Sequence, residues 1–142
     1  MSGVEGQSRT ELTFMSTALK HWHRLVESNN AAGLTELLAE DVVFYSPVVH
    51  TPQHGKAIAL KYLTAAFGVL FNGSFRYVRE IVGERDALLE FELELDGIAV
   101  NGIDLISWNS AGQITEFKVM VRPRKGLEAI ANSMFTQFTK TQ

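Results

Sequence analysis

Apolar residues open the readable part of the chain at Leu12, Met15, Leu19, Trp22 and Val26, spaced 3, 4, 3 and 4 apart. That spacing draws one face of an α-helix. The polar stretch 1–10 before it reads as a disordered leader, leaving 11–142 as a single domain. Asn29 and Asn30 punctuate the first helix and are placed to cap a second, shorter one carrying Leu34, Leu37 and Leu38. Val42–Tyr45 is a short β-prone run stopped by Ser46-Pro47, and Pro47–His54 reads as a loop. A third helix is predicted from Lys56 to Phe71, with Ile58, Tyr62, Leu63, Ala66, Phe67 and Leu70 apolar and Asn72-Gly73 ending it.

From Ser74 the period changes from 3.6 to 2. Phe75–Val82, Ala87–Leu95, Ile98–Trp108 and Ile114–Arg122 are four strand candidates, and Arg122-Pro123 closes the sheet. Leu127, Ile130, Met134 and Phe138 then mark a final amphipathic helix. Three helices followed by an antiparallel meander make an α+β plan, with helices packed over one face of a curved sheet.

Composition narrows the function classes. At 142 residues there is room for one domain, and 46% hydrophobic residues suffice for a core. There are no cysteines, which excludes a disulfide scaffold and thiolate metal sites and fits a reducing compartment. A net charge of −3 argues against nucleic acid as a partner. No apolar run approaches the ~20 residues of a membrane span, so no membrane partner is expected and a cytoplasmic location is the default.

Cross-strand pairing isolates one carboxylate. With Asp96-Gly97 as a two-residue hairpin turn, Leu95 faces Ile98, Leu93 faces Val100, Phe91 faces Gly102 and Leu89 faces Asp104. Partners share a face, so Asp104 projects among Leu89, Phe91, Leu93 and Leu95. With Asn109–Gly112 as a four-residue turn, Asp104 would face Phe117, Gly102 Val119 and Val100 Val121. A carboxyl in such surroundings has its charged form disfavoured and its pKa raised, which suits a general acid or base. The same residue could instead serve packing alone, bonded to a buried Trp N–H or Tyr O–H. The opposite face carries Glu90, Glu92 and Glu94 beside Asn101, with Lys118 and Arg122 one strand on. We read it as a charge ladder rather than a binding stripe.

The chain resembles the nuclear transport factor 2-like superfamily, in its SnoaL-like branch related to polyketide cyclases and ketosteroid isomerases. The resemblance is carried by Trp22, Leu25-Val26, the run Leu37-Leu38-Ala39-Glu40-Asp41-Val42, and Ser46-Pro47 with Gly55 nine residues after Ser46. It continues in Gly102-Ile103-Asp104-Leu105-Ile106 and Gly112-Gln113-Ile114-Thr115-Glu116-Phe117. It implies a cone-shaped α+β barrel enclosing an apolar pocket, usually in a homodimer. Asp104 matches the acid/base aspartate of SnoaL-type cyclases and the protonated oxyanion-hole aspartate of ketosteroid isomerases. The isomerase's base aspartate is Ser46 here and its helix tyrosine is Trp22, so the isomerase pattern is incomplete. The Arg–Asp–Asp pattern of limonene-epoxide hydrolases is not matched.

A pocket of this kind would have Asp104 and Trp22 as its catalytic pair. Tyr45, Ser46, His50, Tyr62, Phe67, Leu89, Phe91, Leu93, Phe117, Val119 and Val121 would contact the substrate. Trp22 lies on the inward stripe of its helix, where its N–H could orient a ligand carbonyl or Asp104, or where it is simply core. His21 and His23 flank it on other faces and are expected at the surface. His50 and His54 lie four apart with Pro52 between them, which forbids a helix and leaves no metal-ligand spacing. On a pocket-mouth loop, either could supply the base that Ser46 cannot. Neither cofactor nor metal is called for.

Three readings follow. The first is a cofactor-independent isomerase, cyclase or lyase acting on a small hydrophobic carbonyl or hydroxyl compound. The second is a non-catalytic module binding such a molecule, and the third a dimeric accessory domain with a filled cavity. Ile103, Leu105 and Met120 on the sheet's outer face would serve a homodimer contact.

Overall fold

The computed structural model describes residues 17–140, so the leader 1–10 and the helix positions Leu12 and Met15 lie outside the described residues. Helix α1 (Thr17–Ser28) buries Ala18, Leu19, Trp22 and Leu25. It ends at Asn29, whose φ of 49° is the left-handed conformation common after a helix. Asn29 therefore closes the first helix, and Asn30 makes no side-chain cap to the second. The expected second helix is only a 3-10 turn (Ala31–Gly33) and a single turn, α2 (Leu34–Leu37).

Leu38, assigned from its spacing to that helix, instead begins strand β1 (Leu38–Tyr45). Val42 and Phe44 are buried along it in period 2, and Leu38 is fully buried where the strand starts beside Ile114. Tertiary pairing outweighs the helical spacing of three leucines. The proline-rich loop also contains a two-residue strand, β2 (Gln53–His54), paired with Val43 and Phe44. Helix α3 (Lys56–Leu70) follows, then β3 (Arg76–Val82), β4 (Asp86–Leu95), β5 (Ile98–Trp108), β6 (Ile114–Arg122) and α4 (Arg124–Lys140).

The strands form one curved, unclosed sheet in the order β2-β1-β6-β5-β4-β3. It is mixed rather than a pure meander, because β1 runs parallel to β6. The Asp96-Gly97 hairpin forms as its sequence predicts, with φ of 53° and 77°, and Leu89 stands opposite Asp104. Gly102 is required by close approach: a Cβ there would lie 2.4 Å from the Phe91 ring and 2.6 Å from the Met120 carbonyl.

The β5–β6 register differs from the one expected. Asp104 pairs with Val119 rather than Phe117, and Gly102 with Val121 rather than Val119. Trp108 pairs with Ile114, which lengthens the turn, and a bulge follows between Ser107 and Trp108. The two changes add to a slip of two residues. An even slip preserves the face, so Asp104 still points inward. The outer ladder also differs in its partners: Arg76 binds Glu92 at 2.9 Å and Arg79 binds Glu90 at 3.4 Å, both from β3. Lys118 lies over the Tyr45 ring instead.

Candidate functional site

Asp104 is the one buried charged side chain among the described residues, 5% exposed. Its hydrogen-bond partner comes from β3: Tyr77 Oη donates to Asp104 Oδ2 at 2.6 Å. Trp22 Nε1 donates in turn to Tyr77 Oη at 3.0 Å. An indole N–H can only donate, so the tyrosine hydroxyl accepts from Trp22 and directs its own proton to Asp104. Oδ2 thus receives a proton bond, and Oδ1 is left to carry the acid proton.

Tyr77 was not singled out from the sequence, and a bulge explains why. Continuing the register Val82↔Ala87 along an unbroken hairpin would pair Tyr77 with Glu92, on the outer face. The strand bulges between Tyr77 and Arg79, and Tyr77 pairs with Phe91 instead. One extra residue reverses the alternation and turns the phenol inward. Nothing in the local composition marks Val78 as the bulged position.

Aromatic rings close around this relay. Trp22 meets Phe67 edge-on at 5.5 Å, Phe67 meets Phe71 at 4.6 Å, Phe71 meets Phe75 at 4.7 Å, and Phe75 meets Tyr77 at 5.0 Å. The Trp22–Tyr77 hydrogen bond completes the circuit. Burial among these rings raises the Asp104 pKa from 3.8 to about 7, with the Tyr77 hydrogen bond opposing the rise. Burial likewise pushes the Tyr77 phenol well above its ordinary value, helped by the adjacent carboxylate. His23, expected at the surface, is half-buried: its ring packs edge-on against Tyr77 at 5.5 Å and its Nε2 bonds Glu80.

Two voids lie between the sheet and the helices. The smaller, about 20 Å³, is bordered by Asp104, Trp22, Phe67, Phe71, Phe75, Phe117 and Val119, among others. The larger, about 180 Å³, lies under α4, whose Ile130, Ala131, Met134, Phe135 and Phe138 roof it. Phe44, Ser46, Val48, Val49, Tyr62, Val119 and Val121 form other parts of its wall. Ala66, Leu70 and Val119 border both voids.

The expected site residues therefore divide. Trp22, Phe67, Phe117 and Val119 gather at Asp104, while Ser46, Tyr62, Val119 and Val121 line the wide cavity. Leu89, Phe91 and Leu93 share Asp104's face but line neither void, at 0, 0 and 5% exposed. Phe91 and Leu93 pack in one core cluster with Ala129 and Ile130, because α4 folds back over that end of the sheet, while Leu89 packs in the neighbouring cluster with Trp22 and Phe117. Tyr45 and His50 line an open groove with Lys118 and Met120 that adjoins the wide cavity at Ser46, Pro47, Val119 and Val121, since the alternation that turns Phe44 inward turns Tyr45 out. His54 is exposed on β2, so neither loop histidine stands beside Asp104. Ser46 is engaged by the loop itself, its Oγ accepting the N–H groups of Val48 and Val49 at 3.0 and 3.2 Å.

The roof of α4 was missed as a site element. Its apolar stripe is visible in the sequence, but nothing local says what the stripe covers. Among the described residues, no three His, Asp or Glu side chains gather as a metal-ligand group. No helix there is long and apolar enough to cross a membrane.

This chain belongs to the SnoaL-like domain family, matched over residues 19–117. A steroid delta-isomerase structure from Pseudomonas aeruginosa is 32% identical, with a TM-score of 0.84 over 89% of this chain and 93% of that one. A bacterially conserved protein with a cystatin-like fold from Silicibacter pomeroyi DSS-3 is 28% identical, with a TM-score of 0.79 over 89% and 88%. At 20% identity, an NTF2-like protein of unknown function from Mesorhizobium loti shares the fold, with a TM-score of 0.66 over 77% and 93%. No curated protein matches the chain.

Proposed function

We propose that this SnoaL-like chain binds a small apolar carbonyl or hydroxyl compound and moves a proton on it, with Asp104 as general acid and base. The supporting observation is a buried carboxyl held by one directed hydrogen bond and titrating at about 7. Near neutrality it is present in both protonation states, the condition under which one group can take a proton and return it. The carboxylate removes a proton next to the carbonyl; the resulting acid delivers it elsewhere on the same carbon skeleton. Double-bond migration is the simplest reaction of this kind, and the 32% identical Pseudomonas aeruginosa structure is a steroid delta-isomerase.

Trp22 acts here as a positioning residue, since its N–H reaches Tyr77 rather than the void's reacting position. A wide cavity of about 180 Å³ falls below the ~300–1,000 Å³ of pockets for drug-sized ligands, which favours a compact substrate. It also speaks against the reading of a cavity filled by its own side chains. Pairing of two copies through the outer face remains a proposal, supported by Met120 at 52% exposure and tested by sedimentation.

The test is conversion of 3-cyclohexenone to its conjugated isomer, followed by absorbance. The protein should accelerate it, and Asp104→Asn should reduce turnover by ~100-fold or more, the range assigned to a lost acid/base. Equal turnover by the variant would eliminate the proposal. A binding module is the second reading, favoured by the separation of Asp104 from the wide cavity. It predicts saturable binding of the ketone with no turnover by either protein.

A further inference from the structure

The hydroxyl that binds Asp104 is carried by an edge strand. β3 ends the sheet and, among the described residues, its backbone is bonded to β4 alone. Its bulge lies between Tyr77 and Arg79, with Tyr77 opposite Phe91 and Glu80 opposite Leu89. Tyr77 and Glu80 are three positions apart and would point to opposite faces of an unbroken strand. The extra residue brings both to the inner face. Consecutive residues of α1 meet them there. Trp22 Nε1 donates to Tyr77 Oη at 3.0 Å. His23 Nε2 donates to the Glu80 carboxylate, and its ring packs edge-on against Tyr77 at 5.5 Å. α1 thus grips β3 on both sides of the bulge. The second grip lines neither void and makes no hydrogen bond to Asp104.

We infer that His23 and Glu80 are positioning residues for Asp104: their bond fixes the edge strand against α1 so that the Tyr77 hydroxyl reaches Oδ2. A pair with side chains 27% and 40% exposed adds little to stability, so what the bond supplies is placement. The Glu80 charge also acts on the phenol. Burial first, Asp104 next and Glu80 last raise the Tyr77 pKa, which keeps the hydroxyl a donor. A part for this latch in a reaction rests on the acid/base reading of Asp104; the latch itself can be read without turnover.

Carbon-13 titration of the Asp104 carboxyl in the full chain tests it, in His23→Ala, Glu80→Ala and His23→Gln. The Tyr77 hydrogen bond opposes the rise in the Asp104 pKa, so loosening that bond should raise the pKa further. Both alanine variants should hold the Asp104 proton about threefold more tightly than wild type, a shift on the order of one net hydrogen bond. His23→Gln, whose amide can still donate to Glu80, should return the titration towards wild type. In a Tyr77→Phe background His23→Ala should move it no further, because the latch acts through the lost hydroxyl. Urea midpoints of the three single variants should stay close to that of wild type. An Asp104 titration unchanged in both alanine variants would overturn the inference, whatever their stability. So would equal shifts with and without the Tyr77 hydroxyl, which would mark a direct effect of charge. Absence of 3-cyclohexenone turnover in every one of these proteins would remove the acid/base proposal and leave the titration to decide the latch.

Discussion

The void at Asp104 and the cavity under α4 share three side chains, yet they are built on opposite principles. At Asp104, space is minimal, a hydrogen-bonded relay fixes the polar groups, and aromatic rings contact one another around them. Under α4 the volume is larger, the walls are mostly aliphatic, and the rim includes Val48, Val49 and Phe135 at 47, 38 and 70% exposure. The first is preorganised, which chemistry on a carboxyl requires. The second has an open apolar rim, which suits entry of an apolar molecule. The contrast teaches that the cone sets a preorganised, nearly closed carboxyl beside a roomier apolar cavity.

Truncating the aromatic ring should have the largest effect on this contrast. Phe67 is 2% exposed and touches both Trp22 and Phe71. Phe67→Ala should cost ~3–5 kcal/mol in urea unfolding, the usual cost of deleting a buried phenylalanine. A cost below 1 kcal/mol would mean that the wall around Asp104 is as yielding as the wide cavity.

The pH dependence of stability comes next. Folding raises the Asp104 pKa to about 7, so the folded chain holds that proton more tightly than the unfolded one. The resulting stabilisation is complete below an ordinary carboxyl pKa of ~3.9 and is lost as pH rises through about 7. Its ceiling is about 4 kcal/mol. Asp104→Asn should remove this slope, and the wild-type-minus-variant difference between pH 5 and pH 8 measures it, since the histidines are common to both. A difference that does not change with pH would place Asp104 in contact with bulk water.

Cutting the relay should have a smaller effect. Tyr77→Phe leaves Trp22 Nε1 and Asp104 Oδ2 without their partner, at a cost of ~1–3 kcal/mol for the unmet groups. The Tyr77 hydrogen bond is what opposes the rise in the Asp104 pKa, so its loss should push that carboxyl above about 7. Carbon-13 titration of the aspartate carboxyl reads the direction. A fall would mean that water enters to replace the phenol.

Much of the tight region could be read from local rules, and the wide one largely could not. Asp104 was placed inward by a single Asp-Gly turn, whose geometry sets the β4–β5 register for ten pairs. The β5–β6 register was off by two residues and the conclusion survived, because parity decides the face. A single bulge in β3 was enough to hide Tyr77. Leu89, Phe91 and Leu93 show the converse: facing the pocket is not lining it, because α4 turns that part of the wall into core. Where a terminal helix docks depends on long-range packing, which a 3.6-residue stripe does not encode.

The smallest expected effect sharpens the comparison most directly. Phe135→Ala removes the same atoms as Phe67→Ala, but from the rim of the wide cavity, where the ring is 70% exposed. Little buried area is lost, so stability should stay within ~0.5 kcal/mol of wild type, as for exposed positions generally. Two identical deletions would then differ by several kcal/mol according to the chamber they border. Such a difference would mark a rigid aromatic wall around Asp104 beside a loosely closed apolar rim, as the proposed entry of a ligand past that rim requires. If Phe135→Ala cost as much as Phe67→Ala, the rim would itself be core, and entry would require unfolding of α4 rather than movement at its edge.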